Sequence, residues 1–166
     1  MYTIISGTNR PGSNTLKIAQ LYQRRLAAKG VDARLVSLEN LDVSTRSEGI
    51  RTLETAVLIP SEKFVFVVPE YNGSFPGVLK SLFDNSDIDK VWRGKKALLT
   101  GVSTGRAGNL RGMDHLTGVL HYLKVVVHPN KLPISIVNTL LTTDNDITDV
   151  GTLKAIDLQL DEFIAF

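Results

Sequence analysis

Three short stretches of the chain gather polar groups where a ligand could be held. The first is Ser6-Gly7-Thr8-Asn9-Arg10-Pro11-Gly12-Ser13-Asn14-Thr15. It follows a short apolar strand, Tyr2 to Ile5. It precedes a helical pattern that begins at Leu16, runs through Ile18, Ala19, Tyr22, Leu26 and Ala27, and stops at Gly30. A helix N-terminus leaves backbone N–H groups unpaired and carries a positive dipole end. With Thr8, Ser13, Asn14 and Thr15 as donors and Arg10 as a charged partner, this stretch suits a phosphate group. It is not a Walker loop, because no Gly-Lys-Ser/Thr closes it, and its two glycines do not form Gly-x-Gly-x-x-Gly. A capped helix behind a polar loop explains the same residues equally well.

The second stretch is Pro69-Glu70-Tyr71-Asn72-Gly73-Ser74, which sets a carboxylate, a phenol, an amide and a flexible hinge side by side. The unbroken apolar run Phe64 to Val68 leads into it, as in strands buried on both faces. Pro69 ends that run, and Pro76 suits the start of a helix carrying Val78, Leu79, Leu82 and Phe83. Asn72 and Gly73 tolerate left-handed backbone angles, so the segment can turn tightly. A connection that binds nothing has the same outline. Against that reading, Tyr71 is a large ring in a turn with no core to fill, and two prolines stiffen the segment. The third stretch, Ser103-Thr104-Gly105-Arg106-Ala107-Gly108-Asn109, follows a buried strand at Lys96 to Val102.

The elements that would position these stretches alternate. Val31 to Leu38 reads as a second strand and Glu39 to Glu48 as a loop. Ile50 to Ile59 reads as a helix ending before Pro60, and Asp84 to Lys90 as a polar connection. Leu110 to Leu123 is helical, Val125 to Val127 is a short fifth strand, and residues 129–150 are irregular. Leu153 to Phe166 closes the chain as an amphipathic helix. Strands alternating with helices predict one α/β domain over residues 1–166, a doubly wound five-stranded parallel sheet with helices on both faces and the third strand central. In the order 2-1-3-4-5, strands one and three flank the topological switch point, where ligands sit beyond the carboxyl ends of the strands. The first two polar stretches therefore converge on one crevice.

Composition narrows the function classes. The 166 residues are 43% hydrophobic and 22% charged, as in an ordinary soluble globule. A net charge of +2 without a basic block gives no argument for nucleic acid. The absence of cysteine excludes disulfides, thiolate metal sites and cysteine nucleophiles. No apolar run reaches the roughly 18 residues needed to span a membrane, and the N-terminus lacks signal-peptide features, so a cytoplasmic location is expected. His115 and His121 are six apart on a helix and do not share a face as metal ligands would. His128 beside Pro129 reads as a strand-end histidine, and Trp92 as packing under a loop. Glu70 is expected to accept backbone N–H bonds, and Asp144, Asp146 and Asp149 to form a solvated patch. No triad or metal cluster emerges, so no catalytic side chain is assigned.

With these residues in view, the sequence resembles the NADPH-dependent FMN reductase family of flavodoxin-like proteins, which includes quinone, azo-dye and chromate reductases. The likeness rests on Pro69-Glu70-Tyr71-Asn72 with Pro76-Gly77, Leu79-Lys80 and Asp84, and on Gly7, Thr8, Arg10 and Ser13 in the first loop. It implies a flavodoxin-like fold with the FMN phosphate held by Thr8, Arg10, Ser13, Asn14 and Thr15. Pro69, Glu70, Tyr71, Asn72 and Gly73 would lie along the flavin ring, bordered by Ser103, Gly105 and Arg106. It also implies hydride transfer from NADPH or NADH through FMN to a small-molecule acceptor, in a homodimer or homotetramer. The sequence departs from the family pattern at Asn85, where an aromatic residue is usual, and at Asn109, where a glycine is usual. The alternatives are a non-enzymatic flavodoxin-like electron carrier and a flavin-binding module whose fold persists without catalysis; such carriers are strongly acidic, whereas this chain has a pI of about 8.9.

Overall fold

The computed structural model describes residues 1–166. The strands are β1 (Tyr2–Ser6), β2 (Ala33–Ser37), β3 (Lys63–Pro69), β4 (Lys96–Val102), β5 (Val126–Val127) and β6 (Leu132–Ile134). The helices are α1 (Asn14–Ala28), α2 (Glu48–Leu53), α3 (Gly77–Asp84), α4 (Leu110–Tyr122), α5 (Val137–Leu140) and α6 (Val150–Ala165). All pairings are parallel, in the order β2-β1-β3-β4-β5, with β6 also on β4. β3 is central, as its continuous apolar sequence predicts.

β3 carries the core on both faces. Phe64, Phe66 and Val68 point into the layer formed with α2, α3 and α4. There the rings of Phe64, Phe66, Phe83 and Trp92 pack together, and Trp92 donates its ring N–H to Ser86 Oγ at 2.7 Å. Val65 and Val67 point into the opposite layer, with Ile18, Tyr22 and Leu26 of α1 and Ile156, Leu160 and Phe163 of α6. Each such side chain, fully buried, is worth about 1.5–3 kcal/mol relative to exposure. The predicted doubly wound sheet is therefore observed.

Four elements differ from the sequence reading. The fifth strand position is split: β5 pairs with Lys96–Ala97, and β6 pairs with Thr100–Val102. Pro129, with no N–H to give to a ladder, stands in the gap between them, and the stretch read as irregular contains both β6, with Pro133 inside it, and α5. Strand two starts at Ala33 rather than Val31. The helix of Ile50–Ile59 is α up to Leu53 and then widens, with Ile59 N–H donating to the Glu54 carbonyl at 2.8 Å. The widened turn faces the buried Glu54 carboxylate toward Arg46 Nη2 at 2.9 Å and the Asp87 N–H at 2.5 Å. Finally, the polar connection after α3 closes in a single wide turn, Ile88–Trp92, whose Val91 and Trp92 are buried. Asn85 caps α3 and donates to the Val43 carbonyl at 2.9 Å, so the departure there serves a loop contact.

The break in the fifth strand leaves carbonyls of β4 and the loop without ladder partners, and Gln159 of α6 supplies them. Its Nε2 donates to Leu99 O at 3.0 Å and Asn130 O at 2.8 Å, while its Oε1 accepts from Tyr22 Oη at 2.6 Å. Thr100 Oγ1 donates to Tyr22 Oη at 2.8 Å. Burial pushes the Tyr22 phenol above its ordinary range, against a smaller opposing effect of the Thr100 hydrogen bond. Gln159→Leu keeps the volume but strands two carbonyls and a phenol. It is expected to cost roughly 2–4 kcal/mol in urea unfolding, against about 1 kcal/mol for Tyr22→Phe; equal small losses would show that Gln159 does not splice the sheet.

Candidate functional site

The crevice lies beyond the carboxyl ends of β1, β3 and β4. Gly7 N–H donates to Val67 O at 2.8 Å, extending the β1–β3 ladder by one residue before the first loop leaves it. Thr8 then turns inward, only 1% exposed, and shares a hydrogen bond of 2.6 Å with the Tyr71 hydroxyl. Its Oγ1 also accepts from Arg10 N–H at 3.3 Å. Ser13 caps α1 by accepting from Leu16 N–H at 3.1 Å. That leaves the N–H groups of Asn14 and Thr15, at the first turn of α1, without an acceptor in the protein.

The second turn is closed by Tyr71 and Ser74, whose backbone groups exchange hydrogen bonds of 2.8 and 3.1 Å. Between them Asn72 and Gly73 have φ of 51° and 78°. Two successive positive φ values make a type I′ turn, which is why Asn-Gly stands there. Glu70 N–H donates to Val102 O at 2.9 Å, pinning this turn to β4. The Tyr71 ring lies beneath the Arg10 guanidinium, 4.1 Å from its centroid. Contrary to expectation, the Glu70 carboxylate makes no hydrogen bond; it stands half-buried in the crevice wall.

The third turn is held by its own side chains. Ser103 Oγ accepts from Gly108 N–H and donates to Gly105 O, both at 2.9 Å, so this hydroxyl is committed to the loop. Asn109 starts α4 in the left-handed conformation, with φ of 63°, as the usual glycine would. Its Nδ2 donates to the carbonyls of Val68 and Pro69 at 3.0 Å each, tying α4 to the end of β3. Gly112 lets this happen, because a Cβ there would lie 2.0 Å from Asn109 Oδ1.

These turns enclose two adjoining lobes. The first, about 250 Å³, is lined by Arg10, Ser13, Asn14, Thr15, Pro69, Glu70, Tyr71 and Ser103. The second, about 270 Å³, is lined by Glu70, Asn72, Gly73, Ser103, Gly105 and Arg106. Every residue anticipated from sequence except Thr8 faces one lobe or both, and Thr8 stands behind Tyr71. Sequence reasoning missed Pro11, Val102, Thr104, Ala107 and Val137. Thr104 and Ala107 sit in a turn already singled out, so its spacing could have included them. Val137 comes from α5, in a stretch that carried no signal. His115 donates to or accepts from Ser74 Oγ at 2.9 Å outside the lobes, and His128 is buried against Phe166. No three His, Asp or Glu side chains converge as metal ligands.

A family model described as NADPH-dependent FMN reductase matches residues 2–139. The chain belongs to that family. It is 30% identical over 110 residues to a 2-hydroxy-1,4-benzoquinone reductase from Burkholderia sp, covering 64% of this chain. It is 37% identical over 75 residues, 44% of this chain, to an NAD(P)H-dependent FMN reductase from Pseudomonas aeruginosa. The matches span 60% and 40% of those two proteins, less than two thirds of either. Among solved structures, the NAD(P)H:(acceptor) oxidoreductase FerB from Paracoccus denitrificans superposes with a TM-score of 0.78 at 22% identity, over 99% of this chain and 94% of that one. That likeness shows the shared flavodoxin-like fold.

Within the family fold, Asn109 combines a glycine's backbone with an amide clamp, and the two contributions separate by mutation. Asn109→Ala loses both hydrogen bonds and leaves an alanine in left-handed space, an expected cost of roughly 2–4 kcal/mol. Asn109→Gly loses only the clamp and should recover about 1 kcal/mol of that in urea unfolding. Alanine and glycine variants of equal stability would show that the backbone is unstrained here.

Proposed function

We propose that this protein is an FMN-dependent NAD(P)H oxidoreductase that passes hydride from a nicotinamide cofactor through bound FMN to a small acceptor, such as a flavin, quinone, azo dye or metal oxyanion. The observation that carries this reading is the donor set of the first lobe. Two free N–H groups at the start of α1, the Thr15 hydroxyl and the unpaired Arg10 guanidinium face one space, and that chemistry fits a dianionic phosphate. The second and third turns leave the N–H groups of Asn72, Gly73, Thr104, Gly105 and Arg106 free, donors of the kind that suit a ring with a carbonyl edge. Bound FMN would supply the hydride chemistry itself. The chain's part is to hold and align: Tyr71, braced by Thr8, forms a rigid wall, and the I′ turn fixes the donors beside it.

Arg10 rests on the Tyr71 ring, a contact worth about 0.5–1 kcal/mol at such an exposed place. A charge-assisted phosphate contact is worth roughly 1.5–3 kcal/mol, so the guanidinium gains by turning to the phosphate. The cytoplasm is the proposed location: no helix is long and apolar enough to cross a membrane, and the chain lacks cysteine. A homodimer or homotetramer is proposed from a largely apolar groove of about 600 Å³ between α3 and α4. Phe83, Ile88, Val119 and Leu123 line it, and Tyr122, 79% exposed, stands on it.

Two outcomes test this reading. The net gain at Arg10 is roughly 1–2 kcal/mol, so Arg10→Ala should weaken FMN about 5- to 30-fold in a fluorescence titration and leave riboflavin nearly unchanged. Equal losses for both flavins would move the phosphate away from the first loop, and negligible NADPH oxidation with excess quinone would leave an electron carrier instead. Tyr122→Asp should shift the protein to monomer in light scattering; an unchanged mass would place the subunit contact elsewhere or remove it.

A further inference from the structure

The chain has nine arginines. Arg24, Arg25, Arg46, Arg51 and Arg93 each form an ion pair, and Arg34 donates to the Ala56 carbonyl at 2.7 Å. The three left without an anionic or carbonyl partner are Arg10, Arg106 and Arg111, and all three stand at the carboxyl end of the sheet. The proposed FMN phosphate occupies Arg10. Arg106 and Arg111 belong to the opposite end of the crevice. Arg106 lines the second lobe, and Arg111 lies along Gly73 on its wall, its Nη1 2.9 Å from where a Gly73 Cβ would be. Glu70 is the one carboxylate lining that lobe, and it pairs with neither arginine. Asp114, on the same face of α4, is engaged by Lys131 at 2.9 Å. Both arginines are exposed at the rim.

From this arrangement we infer that Arg106 and Arg111 form a second anion subsite, which takes the 2′-phosphate of NADPH and sets its preference over NADH. The inference rests on the oxidoreductase reading and deepens it. A terminal phosphate monoester carries close to two negative charges, which a pair of guanidinium groups matches; a pyrophosphate spreads single charges along the chain. The rim position suits the adenosine end of a dinucleotide whose nicotinamide reaches inward toward Tyr71.

The test uses the FMN-loaded protein and two readouts. In calorimetry, 2′,5′-ADP should bind at least tenfold tighter than 5′-AMP, and the Arg106→Ala/Arg111→Ala double variant should abolish that advantage, with lysine at both positions restoring part of it. In steady state, the ratio of kcat/KM for NADPH to that for NADH should fall at least tenfold in the double alanine variant. Equal binding of the two nucleotides to the parent protein, or an unchanged ratio in the variant, overturns the subsite. So does a loss that is the same for NADPH and NADH, which would point to the pyrophosphate. A protein that prefers 2′,5′-ADP yet oxidises neither dinucleotide would count against the oxidoreductase reading while leaving the subsite standing.

Discussion

The structure turns on a divergence between two neighbouring strands. β1 and β3 pair directly in the parallel sheet, yet the helices that follow them leave to opposite faces. α1 packs with α6 through Ile18, Tyr22 and Leu26, and α3 packs with α4 through Leu79, Leu82 and Phe83. The chain cannot close the gap between the two departures, because each helix is drawn away by its own buried face. Parallel pairing and right-handed crossovers therefore leave a crevice at the carboxyl edge before any ligand is considered.

What fills the crevice walls is organised by a division of labour. The side chains that sequence suggests as ligand donors are in several cases spent on the loops themselves. Ser13 caps α1, Ser103 staples the third turn and Thr8 braces Tyr71; beside them Asn109, read from sequence only as a stand-in for glycine, clamps α4 to β3. Those internal bonds hold the backbone rigid, and the donors that remain are main-chain N–H groups, the Thr15 hydroxyl and guanidinium groups. The main-chain donors are fixed before binding, so little backbone ordering opposes a ligand, while Arg10 has to turn off the Tyr71 ring.

Much of this was legible in the sequence, for stated reasons. The run Phe64–Val68 is apolar on both alternating sets of side chains, which only a central strand requires. Asn72-Gly73 between two prolines signalled a tight turn, and the I′ geometry follows from those two residues. The fifth strand was harder. Its two pieces are two and three residues long, separated by His128 to Lys131, and the carbonyls at the break are satisfied by Gln159, far along the chain. Local pattern cannot show a polar side chain arriving from another helix. The widened turns at Glu54 and Ile88 escaped for the same reason, since a tertiary contact of the Glu54 carboxylate joins them. At the site, hydroxyl identity was visible but its use was not: nothing local to Ser103 says that its proton goes to Gly105.

The central claim is that the crevice between the first and second turns holds FMN by its phosphate. The most direct measurement is the visible absorption spectrum of purified protein, incubated with FMN or with riboflavin and then freed of unbound flavin by gel filtration. Protein exposed to FMN should emerge yellow with about one flavin per chain and bleach anaerobically on addition of NADPH, while protein exposed to riboflavin emerges nearly colourless. A colourless protein after FMN, or equal retention of the two flavins, would contradict the assignment.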